Sequence, residues 1–325
     1  MKLYYIKRFQ QQLSIYLGDN VPIYKFIYYL VDYMVSYIFT GSSIFDYFAY
    51  GFYKLRLSGR KEWITYRRHK KIQLLFNSEK HIDVLRNKSK FNKRYSDLLG
   101  RNWLDVNKCT YHEFETFVKS NEAIFVKDVN GLCGIGTSKQ IISEIENIKG
   151  FYESLVQRNG SYYILEEPCS QISELKEFHP WSVNTIRIVT LRTGSETRIM
   201  SATFRMGNNK KNIDNLHANG IAAHIDIQSG VIFMPGFDKE NNTYISHPIT
   251  KKQIVGYKIP YWEECKRFAV EAAARIPEVG YIGWDVVLQD NGQCILIEGN
   301  DNADHDVQQL HYKGLWADYQ KYLKH

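Results

Sequence analysis

The stretch GWDVVLQDNGQCILIEGN, residues 283–300, has the pattern of two strands joined by a tight turn. Asp, Asn and Gly at 290–292 lie between two apolar runs and give a strong hairpin signal. Asp285 and Glu298 are 13 residues apart across this turn, so their carboxylates can lie on adjacent strands. Because side chains two residues apart share a strand face, Asn300 is expected to point the same way as Glu298.

Two carboxylates and one amide oxygen on one sheet surface form a hard, all-oxygen donor set. Magnesium prefers such ligands together with phosphate oxygens and water. The apolar residues beside Asp285 and Glu298 predict buried strands, where a carboxylate is costly unless it is paired or metal-bound. The hairpin is therefore predicted to hold magnesium through Asp285, Glu298 and Asn300. The alternative is that these are polar residues of an edge strand facing water.

The rest of the chain mixes strand and helix patterns without a steady strand–helix–strand alternation. Further predicted hairpins are 185–191 with 197–205 and 222–227 with 231–234. Short strands are predicted at 124–126 and 162–167. Predicted helices are 80–105, a segment from about 138 into the 150s, 261–275 and the chain from about 307. This mixture indicates an α+β fold rather than a doubly wound sheet.

Residues 1 to about 75 are predicted to be helical, because aromatic and aliphatic residues recur there at three- and four-residue spacing. The longest apolar stretch, 21–53, is interrupted by Asp32 and Asp46 and by a Gly-Ser-Ser break at 41–43. It falls short of the ~20 uninterrupted apolar residues that a membrane span needs. We expect this region to pack on the rest of the protein or on a partner, and a membrane surface is the alternative.

The composition is that of a globular protein of 325 residues, with a net charge of +7. This charge can attract nucleic acid, an anionic membrane surface, or a phosphorylated or acidic substrate, and charge alone does not choose among them. Nucleic acid is not among the partners we expect. The five cysteines show no C-x-x-C spacing, which argues against a disulfide framework or a zinc site and favours a reducing cytoplasm. The N-terminus lacks the apolar core of a signal peptide.

The pattern D-x12-E-x-N on the last hairpin resembles the magnesium site of the ATP-grasp superfamily, whose fold has two α+β subdomains gripping ATP. The string FVKDVNGLCGIG is similar to the superfamily's strand, lysine and glycine-loop element. The resemblance implies that the lysine reaches the nucleotide phosphates and that backbone N–H groups of the loop fold over them. The residues implied are Lys127, Gly131, Gly134 and Gly136.

The string YILEEP is similar to the superfamily hinge beside which adenine stacks, and it implies Glu166 and Glu167 at the adenine. Glu174 stands where the superfamily has the acid that holds the ribose hydroxyls, with an exposed helical glutamate as the alternative. A first basic nucleotide ligand is implied before Lys127. Lys90 and Lys93 are the candidates, and the sequence does not separate them.

Strings such as SVNTIRIVT, ATFRMG, ANGIAAHID and IPYW resemble the sugar-transfer-associated ATP-grasp family, from about residue 45 to the C-terminus. The resemblance implies an ATP- and magnesium-dependent carboxylate–amine ligase acting through an acyl-phosphate in surface-polysaccharide synthesis. Its substrates would be a small-molecule or saccharide carboxylate and an amine or amino acid. Arg187 and Arg205 are expected on the transferring phosphate, and His217 and Asn219 over the acceptor. The sequence departs from the usual superfamily ending after Asn300, where a Pro-Gly turn is common.

The expected organisation is a helical region at 1–78 followed by a catalytic domain at 79–325, with a nucleotide-binding lid at about 120–170. A glycosyltransferase or a membrane surface is the candidate partner of the N-terminal region, at the inner membrane face. Two other functions stay open: a phosphotransferase of the same fold, and a non-catalytic protein that binds a polysaccharide or a glycosyltransferase. An intact set of metal-binding side chains speaks against the non-catalytic alternative.

Overall fold

A computed structural model describes residues 3–131, 136–156, 162–208 and 220–323 of the chain. Its helices are α1 Leu3–Leu17, α2 Ile23–Thr40, α3 Ile44–Ala49, α4 Leu57–Arg60, α5 Tyr66–Phe76, α6 Asp83–Arg86, α7 Lys88–Arg94, α8 Tyr111–Lys119, α9 Ile148–Val156, α10 Ser173–Lys176, α11 Trp262–Ala274 and α12 Trp316–Gln320. Short 3-10 turns occupy Phe52–Lys54, Ser96–Leu98 and Ile142–Glu144.

The strands form two antiparallel sheets. They are β1 Trp103–Asp105, β2 Ala123–Asp128, β3 Thr137–Ile141, β4 Tyr163–Glu166, β5 Thr185–Thr193, β6 Glu196–Met206, β7 Ile221–His224, β8 Gly236–Phe237, β9 Thr243–Tyr244, β10 Tyr281–Leu288 and β11 Cys294–Asn300. The four-stranded sheet has the order β1-β4-β2-β3, and the seven-stranded sheet has the order β11-β10-β5-β6-β7-β8-β9. The predicted α+β class is confirmed.

The contacts divide the chain into two compact units, Met1–Phe76 with Ala303–His325 and, separately, Asn77–Asn302. The expected catalytic domain at 79–325 included the C-terminal residues, whereas in the structure these residues group with the N-terminal helices. The side chain of Gln309 shows why: its Oε1 accepts from the backbone N–H of Ile64 at 2.8 Å and of Leu315 at 3.0 Å. The boundary near residue 78 and the lid at about 120–170 stay predictions.

The first unit has an aromatic core. Phe9, Tyr47 and Phe48 are fully buried, and their rings contact one another at centroid distances of 5.1–6.3 Å. Asp32, which interrupts the apolar stretch in sequence, accepts from the Tyr47 hydroxyl at 2.6 Å and pairs with Arg60 at 2.7 Å. The helical prediction for residues 1–75 is confirmed. No helix in the described ranges is long and apolar enough to cross a membrane.

The second unit builds a core on each sheet. Helix α11 packs across β5, β6 and β10 and buries Phe268, Ala269 and Ala272 against the seven-stranded sheet. Helices α8 and α9 pack together beside the four-stranded sheet, where Phe114 and Leu155 join the strand residue Leu165 in one cluster. Each sheet therefore has one face covered by helices, which leaves its other face available for a site.

Three of the predicted helical segments are wrong in part. Residues 137–141 form β3, because their backbone completes a ladder with β2, and a helix begins only at Ile148. The segment 80–105 ends in β1, which pairs with β4. The chain after residue 307 is mostly turns before α12. Gly314 explains part of this, because a Cβ there would lie 2.2 Å from the backbone oxygen of Glu62.

Candidate functional site

The last hairpin brings together the side chains that the sequence singled out. Asp285 on β10 lies directly opposite Glu298 on β11, and the Asn300 amide donates to Glu298 Oε1 at 3.0 Å. Just beyond this pair the register shifts, so that Val286 lies opposite Leu296 and Ile297 is the extra residue of a β-bulge. Bulges redirect neighbouring side chains and are frequent next to active sites.

Two arginines, one on β5 and one on β6, hold Asp285. Arg187 lies opposite Asp285 on β5, where its Nε and Nη2 both donate to the carboxylate, the latter at 2.9 Å. Arg205 on β6 donates from Nη1 to both carboxylate oxygens, at 3.1 and 3.0 Å. Burial opposes ionisation, yet these two guanidinium groups lower the pKa of Asp285 to about 2. Asp285 is therefore a fixed anion at neutral pH.

Glu298 is in a different electrostatic situation. Its side chain is only partly exposed, and the nearest Arg187 nitrogen is 3.9 Å from its carboxylate. Burial of the carboxyl group and the adjacent Asp285 carboxylate raise the pKa of Glu298 above its usual range. Two neighbouring carboxylates of which one resists ionisation are an arrangement that a divalent cation would stabilise.

A second cluster of charges lies on the four-stranded sheet around Glu166. This carboxylate accepts from Lys127 Nζ at 2.6 Å, Arg101 Nε at 2.9 Å and Asn92 Nδ2 at 2.8 Å. Burial opposes its ionisation, but the charges of Arg101 and Lys127 keep the pKa of Glu166 well below the usual range. Lys127 is 16% exposed and is held in place by this pair. Arg101 and Asn92 complete this cluster, and no motif in the sequence marks either of them.

The two candidates for a first basic ligand both point elsewhere in the structure. Lys90 pairs with Asp83 at the surface, and Lys93 is exposed on α7. Lys88 instead donates from Nζ to the backbone oxygen of Asp128 at 2.9 Å and to that of Gly131. Burial lowers its pKa. Asn87 caps α7 and so places Lys88 at the first helical position. Only the contacts with Asp128 and Gly131 distinguish Lys88 from Lys90 and Lys93.

The other expected residues lie in several places. Gly131 borders the site, and Gly136 has a φ of 76° and accepts a backbone bond from Asp128 at 2.9 Å. A Cβ at Gly136 would lie 2.9 Å from that of Asp128, so the turn requires glycine. The Glu167 carboxylate accepts from Asn102, and Glu174 is exposed on α10. Gly134, His217 and Asn219 lie outside the described residues.

Both clusters border one cavity of about 440 Å³ within the second unit. Its cationic lining residues are Lys88, Lys127, Lys139, Lys176 and Arg205, and its anionic ones include Asp285, Glu298 and Glu166. Phe125, Pro168 and Trp181 give part of the wall an apolar surface. A cavity with a partly apolar wall, several ammonium groups and a carboxylate pair suits a nucleotide with its phosphates.

The donor set fits magnesium rather than zinc. Within the described ranges no group of three or more His, Cys, Asp and Glu side chains is arranged to hold a metal ion. Asp285, Glu298 and Asn300 instead offer two carboxylates and an amide, which leaves coordination positions for phosphate oxygens and water, as magnesium requires.

Comparisons with solved structures give distant similarities. The ATP-grasp ligase PsnB complexed with minimal precursor is 14% identical with a TM-score of 0.42, over 70% of this chain and 56% of that one. The L-amino acid ligase from Bacillus licheniformis is 14% identical with a TM-score of 0.46, over 75% and 49%. The D-alanyl-alanine synthetase A from Vibrio cholerae is 11% identical with a TM-score of 0.43, over 74% and 61%. The chain thus spans about half the length of the first two of these structures.

No curated protein matches the sequence. The description "Sugar-transfer associated ATP-grasp" belongs to the family model that matches residues 128–321, which is more than half of the chain. The match includes the hairpin with Asp285, Glu298 and Asn300 and both arginines of the site. The chain belongs to the sugar-transfer associated ATP-grasp family.

Proposed function

We propose that this protein is an ATP- and magnesium-dependent ligase that joins a carboxylate to an amine through an acyl-phosphate. The observation that carries the proposal is that one cavity is lined by residues from both parts of the second unit. Lys88 and Lys127 line it beside the four-stranded sheet, and Asp285, Glu298 and Arg205 line it on the seven-stranded sheet. ATP and a carboxylate are both anions, so a site that joins them must supply positive charge close to both.

The lysines and arginines have separate parts in this proposal. Lys88 and Lys127 bind the phosphate oxygens of ATP, and the buried pair with Glu166 keeps Lys127 in one position. Arg205 borders the cavity and stabilises the charge that develops on the transferred phosphoryl group. Arg187 orients Asp285. Magnesium, held by Asp285, Glu298 and Asn300, would neutralise charge on the β- and γ-phosphates.

The proposed reaction has two steps. A substrate carboxylate oxygen attacks the γ-phosphorus, the bond to the β-phosphate oxygen breaks, and ADP leaves. The amine then attacks the acyl carbon, and the bond from this carbon to the phosphorylated oxygen breaks, so that inorganic phosphate leaves with that oxygen. The amine proton passes to a base. His217 and Asn219, outside the described residues, are proposed at the acceptor, with His217 or a carboxylate as this base. No covalent link to the protein is needed.

The substrate class rests on the family. A carboxylate borne by an acidic sugar and an amino acid or other amine would give an amide-decorated sugar for a capsule or another surface polysaccharide. We propose that the reaction takes place in the cytoplasm, where ATP is available, and that a glycosyltransferase is the partner for the product. Adenine stacking beside Glu166 and Glu167, and ribose binding by Glu174, remain proposals.

The test is product analysis by mass spectrometry after incubating the protein with ATP, magnesium and pools of uronic-acid sugars and amino acids. We expect an amide, ADP and phosphate in equal amounts, and none of them from Glu298→Gln. The matched control is Glu263→Gln, an exposed change on α11 that should leave the yield unchanged. Release of AMP and pyrophosphate would contradict the acyl-phosphate mechanism. Release of ADP with a phosphorylated product and no amide would favour the phosphotransferase.

A further inference from the structure

The outward face of α2 is apolar along the whole helix. Ile23, Ile27, Val31, Met34, Ile38 and Phe39 are 49–72% exposed, and we refer to these six residues as the outward stripe. At 100° per residue they fall within about 160° of the helix circumference, and at 1.5 Å per residue they extend over ~25 Å. Single exposed apolar side chains are ordinary, but a continuous row of this length indicates a surface that is covered in use.

The opposite face of α2 accounts for its polar residues. Ser36 and Thr40 are buried, and Thr40 Oγ1 donates to the Ser36 backbone oxygen at 2.7 Å. Asp32 pairs with Arg60 within the unit. Lys25, the other charged residue of the helix, lies beside the stripe rather than in it. No charged side chain therefore interrupts the outward stripe.

The charge of the chain is concentrated in the same unit. Residues 1–76 contain 12 Lys and Arg against 4 Asp and Glu, and residues 303–325 add three of each sign. The whole chain has 42 against 35, so the unit has a net charge of +8 and residues 77–302 have −1. Several of these cations lie close to α2. Arg67 stacks over the ring of Tyr37 at 5.2 Å, and Lys54 lies over that of Tyr53, which contacts Tyr29.

We infer that α2 and the cations around it form a surface that binds anionic phospholipid bilayers, with the outward stripe inserted among the acyl chains just below the headgroups. An amphipathic helix with one apolar face and basic neighbours lies in the plane of the interface in this way. Helix α2 is not apolar enough to span the bilayer. Tyr24 and Tyr28, which are 66% and 63% exposed, add rings of the type that concentrates at the headgroup level.

The charge favours a bilayer over a second copy of this chain. Two copies joined through α2 would bring together two units of +8, which repel each other, whereas a leaflet containing anionic lipid attracts the net positive charge of the unit. The inference concerns attachment only and does not depend on the reaction proposed for the cavity.

The test is flotation of the full chain with vesicles of phosphatidylcholine alone and of equal parts phosphatidylcholine and phosphatidylglycerol. We expect binding to the mixed vesicles, weakened by raised salt, and little binding to phosphatidylcholine. The stripe variant Ile27→Asn/Ile38→Asn should reduce the bound fraction by about tenfold or more. Its matched control is Ile245→Asn, a residue of the second unit that is 63% exposed, and this change should have no effect.

A charge variant keeps the test available if the stripe variant does not fold. Lys25→Glu/Lys54→Glu should lower binding to the mixed vesicles by about 25-fold or more, because each of the two cations removed contributes ~1 kcal/mol, or about fivefold. Lys149→Glu/Lys258→Glu, which changes exposed lysines of the second unit by the same total charge, should not. Light scattering of the wild-type chain tests whether a second copy of this chain, rather than a bilayer, covers the outward stripe. A dimer abolished by the stripe changes, or equal binding of all variants to vesicles, would overturn the inference.

Discussion

Replacing Glu166 with glutamine tests the buried charge cluster that fixes Lys127. Arg101 is 1% exposed and Glu166 is 4% exposed, so the variant leaves a buried guanidinium without its counter-charge. Removing one partner of a buried ion pair costs about 3–5 kcal/mol. For a domain of this size that corresponds to a decrease in melting temperature of roughly 10 °C. Lys127 loses its anchor at the same time, so the KM for ATP should rise.

The assay is thermal unfolding followed by circular dichroism, with Glu174→Gln as the matched control. Glu174 is exposed, and its replacement should change stability by less than about 0.5 kcal/mol. The double variant Glu166→Gln/Arg101→Met should recover part of the loss, because neither charge is then left buried alone. A melting temperature of Glu166→Gln within 1 °C of the wild type, where ~10 °C is expected, would refute the reasoning.

The pH dependence of the same pair has a definite sign. The folded pKa of Glu166 lies well below the value of about 4.3 for an unperturbed glutamate. Its contribution to stability is therefore complete above that value and is lost as the pH falls from there towards the folded pKa. The difference in unfolding free energy between wild type and Glu166→Gln should be constant between neutral pH and about pH 5 and should shrink below about pH 4.

Three further predictions concern the cavity. Lys88→Ala should raise the KM for ATP by about tenfold or more, because a charged hydrogen bond to phosphate is removed, whereas Lys93→Ala should leave this KM unchanged. Equal effects of the two changes in a steady-state ADP-release assay would contradict the position of Lys88. Asp285→Asn should abolish magnesium-dependent ADP release. It should also lower the free energy of unfolding by about 3–5 kcal/mol, because Arg187 loses its buried partner. Full activity of this variant would show that Asp285 does not belong to the site. Because the pKa of Glu298 is raised, protons should compete with magnesium for its carboxylate. The magnesium concentration for half-maximal ADP release should therefore fall as the pH rises through that pKa. In Asn300→Ala this magnesium concentration should be higher than in the wild type at every pH.

The sequence alone determined the parts of the protein that depend on near neighbours. The hairpin at 283–300 follows from its Asp-Asn-Gly turn and flanking apolar runs, and Asp285 and Glu298 lie on adjacent strands as the spacing predicted. The helical N-terminal region follows from spacing within single helices. Family membership followed from short strings in order along the chain. In each case the information lies within one turn, one strand or one helix.

The tertiary structure decided what depends on distant parts of the chain. Arg101 and Asn92 meet Glu166 across 65 and 74 residues, and no local pattern marks either of them. The same holds for β3, whose polar residues at 138–140 were predicted to be helical but gain their hydrogen bonds from β2. Lys88 differs from Lys90 and Lys93 in its contact with the chain after β2. Each of these features requires two segments that are distant in sequence to meet, and only packing of the whole chain brings them together.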